Sequence, residues 1–237
     1  MENLKKVLVV VGSPKGKVSV SSTLGNFLAE KIGQCSAQAP VQYLAIARNS
    51  EDSYSRLLSS MAEADVLAFV FPLYADQLPS GLVETLERYV EYREGNRFSK
   101  SQEVTAIVNC GFPEPSHNDS ALAVLKRFAE LQGFQWLGGL ALGGGSIVEA
   151  GKPLSQQGGR VHNVTRALEL AAPAVAQGLA LPEQAQRLMR KSVIPLFLYR
   201  WMGNWSFNQA AKKWGLSKKQ LSAQPLSESQ AMTGPTP

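Results

Sequence analysis

Residues 7–32 read VLVVVGSPKGKVSVSSTLGNFLAEKI and change character twice along their length. An unbroken apolar run from Val7 to Val11 ends at Gly12, eleven mostly small, polar or basic residues follow, and apolar residues then recur at helical spacing. A continuous apolar run is typical of a strand that is buried on both faces. The stretch therefore predicts a buried strand, a polar loop and an amphipathic helix in succession.

The same alternation continues along the chain. Buried strands are predicted at residues 6–11, 42–47, 66–72, 104–110 and 136–142, with helical patterns between them. Strands that alternate with helices predict a doubly wound α/β fold with a parallel sheet.

Helical patterns also follow the fifth strand. We expect a helix over 160–177, interrupted or bent at Pro173 and stopped by Gly178. Residues 184–220 predict further helices that break at Pro195 and near Gly203.

The expected domain organisation has three parts. Residues 1–180 form the main domain, residues 181–222 a basic aromatic helical extension, and residues 223–237 a polar, Pro-containing tail that frays.

The composition of the 237 residues is that of an ordinary globular protein, with 44% hydrophobic and 18% charged residues. Two cysteines, Cys35 and Cys110, cannot build a disulfide framework, so a reduced, cytoplasmic setting is expected. The first apolar run is too short for a signal peptide, and no run is long enough to cross a membrane.

The net charge of +5 is unevenly distributed. Residues 184–226 contain eight basic and no acidic residues, whereas the remaining chain has 16 basic against 19 acidic residues. The basic character therefore belongs to the extension, and no nucleic-acid partner is expected for the main domain.

The loop after the first strand is rich in hydrogen-bond donors. It carries Lys15 and Lys17 together with five hydroxyls, those of Ser13, Ser19, Ser21, Ser22 and Thr23. A helix N-terminus attracts anions, and open α/β sheets bind their ligands at this end of the strands. An ordinary N-cap is the alternative, and Ser22 or Thr23 alone would supply it.

Two common phosphate motifs are absent from this loop. The spacing of Gly12, Gly16 and Lys17 does not fit a P-loop, and there is no G-x-G-x-x-G. A loop with many hydroxyls and few glycines suits a terminal monophosphate held end-on, and flavin mononucleotide (FMN) is a common ligand of that kind.

Loops of unusual composition follow the other strands. Pro72, Leu73 and Tyr74 can lie against an aromatic ring, and Ala75 to Leu78 can meet its polar edge. Later strands are followed by further candidates, namely Asn109, Gly111, Phe112, Glu114, Gly144 and Gly145. Taken singly, Tyr74 or Phe112 is more often a packed loop aromatic than a ring contact. Asp76 and Glu114 could have a helix-capping or loop role instead of bonding a ligand.

Four segments resemble a known family: GSPKGKVSVSSTLGNFLAEKI (12–32), FPLYADQLPSGLVETLE (71–87), NCGFPEPSHNDSALAVLKRF (109–128) and GGLALGGG (138–145). They are similar to the flavodoxin-like NAD(P)H-dependent oxidoreductases, a group that includes NADPH-dependent FMN reductases and multimeric flavodoxins. The resemblance spans about residues 5–170 and implies a five-stranded parallel sheet in 2-1-3-4-5 order, non-covalent FMN and a homodimer or homotetramer.

The resemblance also assigns site residues. The phosphate loop comprises Ser13, Lys15, Ser19, Ser21, Ser22 and Thr23; the ring loop comprises Pro72, Leu73, Tyr74, Ala75, Asp76 and Gln77; the third loop comprises Asn109, Cys110, Gly111, Phe112 and Glu114. Backbone N–H groups of residues 110–112 or 143–145 are candidate donors to the flavin edge. Iron–sulfur relatives carry a cysteine cluster that this chain lacks, so no metal is expected.

The function implied by this resemblance is an FMN-dependent NAD(P)H oxidoreductase. Electrons would pass from the nicotinamide to a small acceptor, namely a quinone, a nitro or azo compound, or a free flavin. No side chain is nominated as catalytic, because the flavin carries the chemistry. The alternatives are a flavodoxin-type electron carrier to a protein partner and a flavin-free interaction domain.

Aromatic and basic residues are interleaved in the extension, over residues 195–219. One interpretation is a helical lid or dimer arm whose aromatics are buried. A second is peripheral contact with an anionic membrane, and single-stranded nucleic acid is a remote third.

Overall fold

A computed structural model of the chain describes residues 5–35, 40–43, 51–98, 100–191 and 196–221. Its sheet has the order β2-β1-β3-β4-β5, with every neighbouring pair parallel. The strands are β1 (Val7–Val11), β2 (Val41–Tyr43), β3 (Val66–Pro72), β4 (Glu103–Asn109) and β5 (Gln135–Leu142). The predicted α/β fold with a parallel sheet is confirmed, and the order is the one that the resemblance implied.

Among the described residues up to position 191, six α-helices accompany the sheet. They are α1 (Val20–Gln34), α2 (Glu51–Glu63), α3 (Ser80–Gly95), α4 (Asp119–Leu131), α5 (His162–Gln177) and α6 (Glu183–Met189). The second strand was predicted at 42–47, of which residues 44–47 lie outside the described part of the chain.

Helices cover both faces of the sheet. Leu8 and Val10 of β1 join a core cluster with apolar residues of α2, α3 and α4. Their neighbours Val9 and Val11 point the other way, so close to α1 that a Cβ on Gly25 would lie 3.0 Å from Val11. Successive side chains of a strand alternate between faces, which is why an unbroken apolar run is needed here.

Ser19 caps the N-terminus of α1. Its hydroxyl oxygen accepts a hydrogen bond from the Ser22 N–H at 3.0 Å, and its backbone is extended. Ser22 and Thr23, the caps considered as the alternative to a phosphate site, lie inside the helix because α1 begins earlier, at Val20. The cap fixes the direction in which the first turn points its N–H groups.

The helix α5 is not interrupted at Pro173. Proline in a helix interior costs about 3 kcal/mol, but α5 buries seven apolar residues, Leu168 and Val175 among them, which offsets that cost. The predicted stop at Gly178 is confirmed, since this glycine adopts a left-handed φ of 68°.

The chain divides into two compact units, residues 1–193 and 194–237. The second unit contains α7 (Leu196–Lys213) and α8 (Lys218–Leu221). The expected break near Gly203 is wrong: α7 runs through it, because one glycine costs a helix only about 1 kcal/mol. Pro195 and residues 223–237, on which other predictions were made, lie outside the described residues.

Among the described helices, none combines the length and the apolar character that crossing a membrane requires.

Candidate functional site

A cavity of about 240 Å³ opens at the carboxyl ends of β1, β3 and β4. Parallel strands bring their carboxyl ends to one edge of the sheet, and the order reverses beside β1, where such folds bind ligands. Eleven of the predicted site residues line this cavity: Ser13, Lys15, Ser19, Ser21, Pro72, Leu73, Tyr74, Asn109, Cys110, Gly111 and Gly145.

Two buried hydroxyls form the polar floor of the cavity. Ser13 and Ser21 are 2% and 1% exposed. The Ser21 oxygen accepts a 2.8 Å hydrogen bond from the Asn109 side chain, which also donates to the Phe71 carbonyl. The described contacts use the Ser21 oxygen as an acceptor, so its own proton is available to a bound acceptor.

The first turn of α1 adds backbone donors at the same place. The Ser22 N–H bonds the Ser19 hydroxyl, and the Thr23 N–H bonds the Ser19 carbonyl. The N–H groups of Val20 and Ser21 precede these and have no carbonyl acceptor within the helix. With the exposed Lys15 beside them, they give this end of the cavity a positive potential.

Ser19 lines the cavity, but its hydroxyl is already used within the loop. It donates to the Gly16 carbonyl at 2.9 Å and accepts from the Ser22 N–H. This serine therefore shapes the loop, while Ser13 and Ser21 present donors to the cavity.

Ser22 and Thr23 are not brought to this cavity. They line a second cavity of about 260 Å³ on another side of α1, together with Lys17 and Lys152. The Thr23 hydroxyl oxygen accepts a hydrogen bond from the Gly151 N–H at 3.2 Å. Consecutive helical residues are rotated by about 100°, so neighbouring hydroxyls of one loop face two different cavities.

A tight turn follows Tyr74. The N–H and carbonyl groups of Tyr74 and Gln77 bond each other at 3.0 and 2.9 Å. Ala75 and Asp76 both have positive φ, 47° and 60°, as a type I′ turn requires. Ala75, Asp76 and Gln77 lie outside the cavity lining, and the turn positions the half-exposed ring of Tyr74 at the cavity wall.

The turn also contacts the loop after β4. Ser120 donates a 2.5 Å hydrogen bond to the Asp76 carbonyl, and the Asp76 carboxylate lies 3.8 Å from the His117 ring nitrogen. The rings of Phe112 and His117 contact each other, with centroids 4.6 Å apart and planes tilted by 33°. These exposed groups border the site without lining the cavity.

Glu114 contributes through its backbone in the described contacts. Its carbonyl accepts from the His117 N–H at 3.4 Å, and its side chain makes no cap bond to the 3-10 turn Pro115–Asn118. Glu114, Phe112 and Gly144 all lie outside the lining of the cavity.

Backbone bonds hold the loops after β4 and β5 together. The Gly144 N–H donates to the Phe112 carbonyl at 2.6 Å, the Gly145 N–H to the Cys110 carbonyl at 2.8 Å, and the Cys110 N–H to the Leu142 carbonyl. These three N–H groups were among the candidate flavin donors, and they are instead used internally. A Cβ on Gly143 would lie 2.4 Å from the Pro113 carbonyl oxygen, so only glycine permits this approach.

Cys110 lies in the cavity wall as a neutral thiol. Burial raises its pKa above the ordinary thiol value, although hydrogen bonds from its surroundings partly oppose the shift. Its sulfur lies 3.4 Å from the Phe112 carbonyl oxygen and 3.5 Å from the Asn118 amide nitrogen. These contacts indicate a structural side chain.

Two residues that line the cavity, Val20 and Ser146, were not predicted as site residues from the sequence. Ser146 directly follows the Gly144–Gly145 pair, so its position at the end of β5 was a signal that could have found it. Val20 lines the cavity as the first residue of α1, and an apolar residue among serines gave no such signal.

The fold is shared with solved oxidoreductases. An FMN-dependent NADH-azoreductase from Bacillus anthracis is 15% identical over 73% of this chain and 100% of its own, with a TM-score of 0.55. An NAD(P)H:quinone oxidoreductase from Methanothermobacter marburgensis is 17% identical over 72% and 96%, with a TM-score of 0.52. At these identities the likeness shows the fold.

A flavone reductase aligns over nearly the whole chain. It is 13% identical, the alignment covers 98% of this chain and 99% of the reductase, and the TM-score is 0.53. The alignment thus extends beyond the sheet domain into the C-terminal unit.

None of the curated proteins matches this sequence at a significant level. A family model described as the flavodoxin-like fold matches residues 5–161, which is well over half of the chain and contains β1 to β5 with the cavity between their ends. The resemblance of the four segments and the observed fold agree with this match. The chain therefore belongs to the family with the flavodoxin-like fold.

Proposed function

We propose that this protein binds FMN at the carboxyl ends of β1, β3 and β4 and uses it to pass electrons from NAD(P)H to a small organic acceptor. The single observation that carries the proposal is the cavity floor, where two buried hydroxyls, the first-turn N–H groups of α1 and Lys15 converge. The names of the azoreductase and the quinone oxidoreductase support the same activity.

The donor set fits a dianionic phosphate monoester. The neutral donors are the hydroxyls of Ser13 and Ser21 and the N–H groups of Val20 and Ser21. Lys15 adds a positive charge on a long side chain that can adjust to the position of the ligand. Hydrogen bonds to charged groups contribute about 1.5–3 kcal/mol each. Ser22 and Thr23 are left out of the proposed phosphate site, since they line the second cavity.

The remainder of FMN would extend along the loops after β3 and β4. The cavity, at about 240 Å³, is smaller than the range of roughly 300–1,000 Å³ typical of ligand pockets. It therefore accommodates part of the ligand, and Leu73, Tyr74 and Gly111 offer the adjoining surface for the ring. Tyr74 is 43% exposed, so burying it under a ring would be favourable.

The bound flavin supplies the redox chemistry, accepting a hydride and passing electrons on. The residues of this chain bind and orient it: the turn Tyr74–Gln77 holds the Tyr74 ring, and Asn109 holds the Ser21 hydroxyl. The acceptor class we propose is a quinone, a nitro or azo compound, or a free flavin. A homodimer or homotetramer is the assembly that the family resemblance favours.

The test is flavin binding followed by turnover with the full-length protein. We expect FMN to bind with quenched fluorescence, and NADH or NADPH to be oxidised when a soluble quinone is added. The variant Ser13→Ala/Ser21→Ala should lose FMN affinity, and Ser55→Ala on an exposed face of α2 should retain it.

Two results would contradict the proposal in different ways. Absence of FMN binding would remove the cofactor site. Tight FMN binding without any oxidation of NAD(P)H in the presence of quinone would favour an electron carrier over a reductase.

A further inference from the structure

The C-terminal unit exposes large aromatic side chains. Trp201, Trp205, Phe207 and Trp214 are 64%, 58%, 73% and 79% exposed. A single exposed aromatic side chain is ordinary on a protein surface. Here four of them fall within the fourteen residues 201–214, three on α7 and one directly after its end, and such a cluster is unusual. Burying them against a partner would be strongly favourable.

The charge of the same segment has a single sign. Residues 196–221 contain Arg200, Lys212, Lys213, Lys218 and Lys219 and no acidic residue. The first unit, residues 1–193, has 19 basic and 18 acidic residues and is almost neutral. The net charge of the first unit therefore does not attract the basic segment, whereas an anionic surface would attract it.

Aromatic and basic side chains lie together on α7. Trp201, Trp205 and Lys212 are four and seven positions apart, so they lie within about 40° of one another around the helix. Trp214 follows the end of the helix beside Lys212 and Lys213, which are both exposed. The chain then turns at Gly215, whose φ is 69°, and leaves Leu216 exposed as well.

We propose that residues 196–221 bind peripherally to an anionic lipid bilayer. Tryptophan prefers the level of the lipid headgroups, and lysine and arginine are attracted by acidic headgroups. Because α7 carries aromatics on more than one side, it lacks the single apolar face of a deeply inserting helix. The contact is therefore shallow and depends on both charge and aromatic side chains.

The experiment is co-sedimentation of the full-length protein with vesicles. Vesicles of phosphatidylcholine with about 30% phosphatidylserine should bind the protein at low salt, and pure phosphatidylcholine should bind it far less. Raising NaCl to about 0.5 M should release it, because the Debye length falls below 5 Å. A blue shift of tryptophan fluorescence should accompany binding.

Two variants separate the contributions of charge and aromatic surface. Lys212→Gln/Lys213→Gln should weaken the partition coefficient about fivefold per lysine removed. Trp205→Ser/Trp214→Ser should weaken binding and reduce the blue shift, to which Trp201 still contributes. The matched controls are Lys126→Gln/Arg127→Gln and Leu131→Ser, at positions of α4 that are also exposed. Both control variants should bind vesicles like the unaltered protein.

Three outcomes would overturn the proposal. The first is a protein that stays in the supernatant with anionic vesicles at low salt. The second is equal loss of binding in the α4 controls. The third is a dimer in solution that Trp205→Ser/Trp214→Ser converts to a monomer, with no vesicle binding, which would make a second copy of the chain the occupant of this surface.

Discussion

The side chain of Asn109 donates a 2.8 Å hydrogen bond to the hydroxyl of Ser21, across 88 positions of sequence. Asn109 ends β4, and Ser21 lies in the first turn of α1. The same amide also donates to the Phe71 carbonyl of β3 at 3.1 Å. One buried side chain thus fixes the elements that meet at the proposed phosphate site.

We expect Asn109→Ala to destabilise the fold by about 1–3 kcal/mol, because it leaves the buried Phe71 carbonyl without this donor. FMN affinity should fall as well, since the Ser21 hydroxyl loses its orientation. Urea unfolding and flavin titration measure the two effects. A double-mutant cycle with Ser21→Ala should show coupling, and additive losses would mean that the contact contributes nothing.

Lys15→Ala should reduce FMN affinity by about tenfold or more, the value of one charge-assisted hydrogen bond. Riboflavin lacks the phosphate, so its affinity should not change. Fluorescence titration with both flavins gives the comparison. Lys17→Ala is the matched control, because this lysine of the same loop lines the second cavity. Equal losses for both lysines would show a general field effect instead of a phosphate contact.

Ala75→Gly should stabilise the protein by about 0.5–1 kcal/mol, because a left-handed φ strains alanine more than glycine gains entropy on unfolding. The midpoint of urea unfolding measures this. Ala123→Gly, on the exposed face of helix α4, is the control and should destabilise by about 1 kcal/mol. A lower midpoint for both variants would argue against positive φ at Ala75.

Cys110 should react with iodoacetamide more slowly than the half-buried Cys35 near pH 8. Burial raises the Cys110 pKa, so the reactive thiolate is scarce until the solution is more alkaline. The folded state holds this proton more tightly than the unfolded state, and stability must therefore fall as pH rises past the ordinary thiol pKa. Mass spectrometry of each peptide gives the rates, and fast labelling of Cys110 at pH 7 would refute the assignment.

Much of the fold could be predicted because hydrophobic runs set it. The strand Val66–Pro72 was predicted with its observed bounds, since both of its faces are buried and every residue to Phe71 is apolar. The helix breaks predicted at Pro173 and Gly203 were wrong, because the sequence shows only the local free-energy cost of these residues in a helix. Burial and helix length decide whether the helix tolerates that cost.

The site was predictable as a set of loops but not residue by residue. Ser21 and Ser22 are chemically alike and adjacent, yet the helix rotates them toward different cavities. Which hydroxyl belongs to which cavity depends on where α1 begins, and Ser19 decides that by capping it. The internal use of the Gly144 and Gly145 N–H groups depends on contacts between two loops, which sequence spacing does not encode.

The proposed cofactor site is best tested by a crystal structure of the full-length protein grown with FMN. We expect the phosphate at the N-terminus of α1, within hydrogen-bond distance of the Ser21 hydroxyl and the Val20 and Ser21 N–H groups, with the ring beside Tyr74. A phosphate bound in the second cavity at Thr23, or crystals without flavin at saturating FMN, would contradict it.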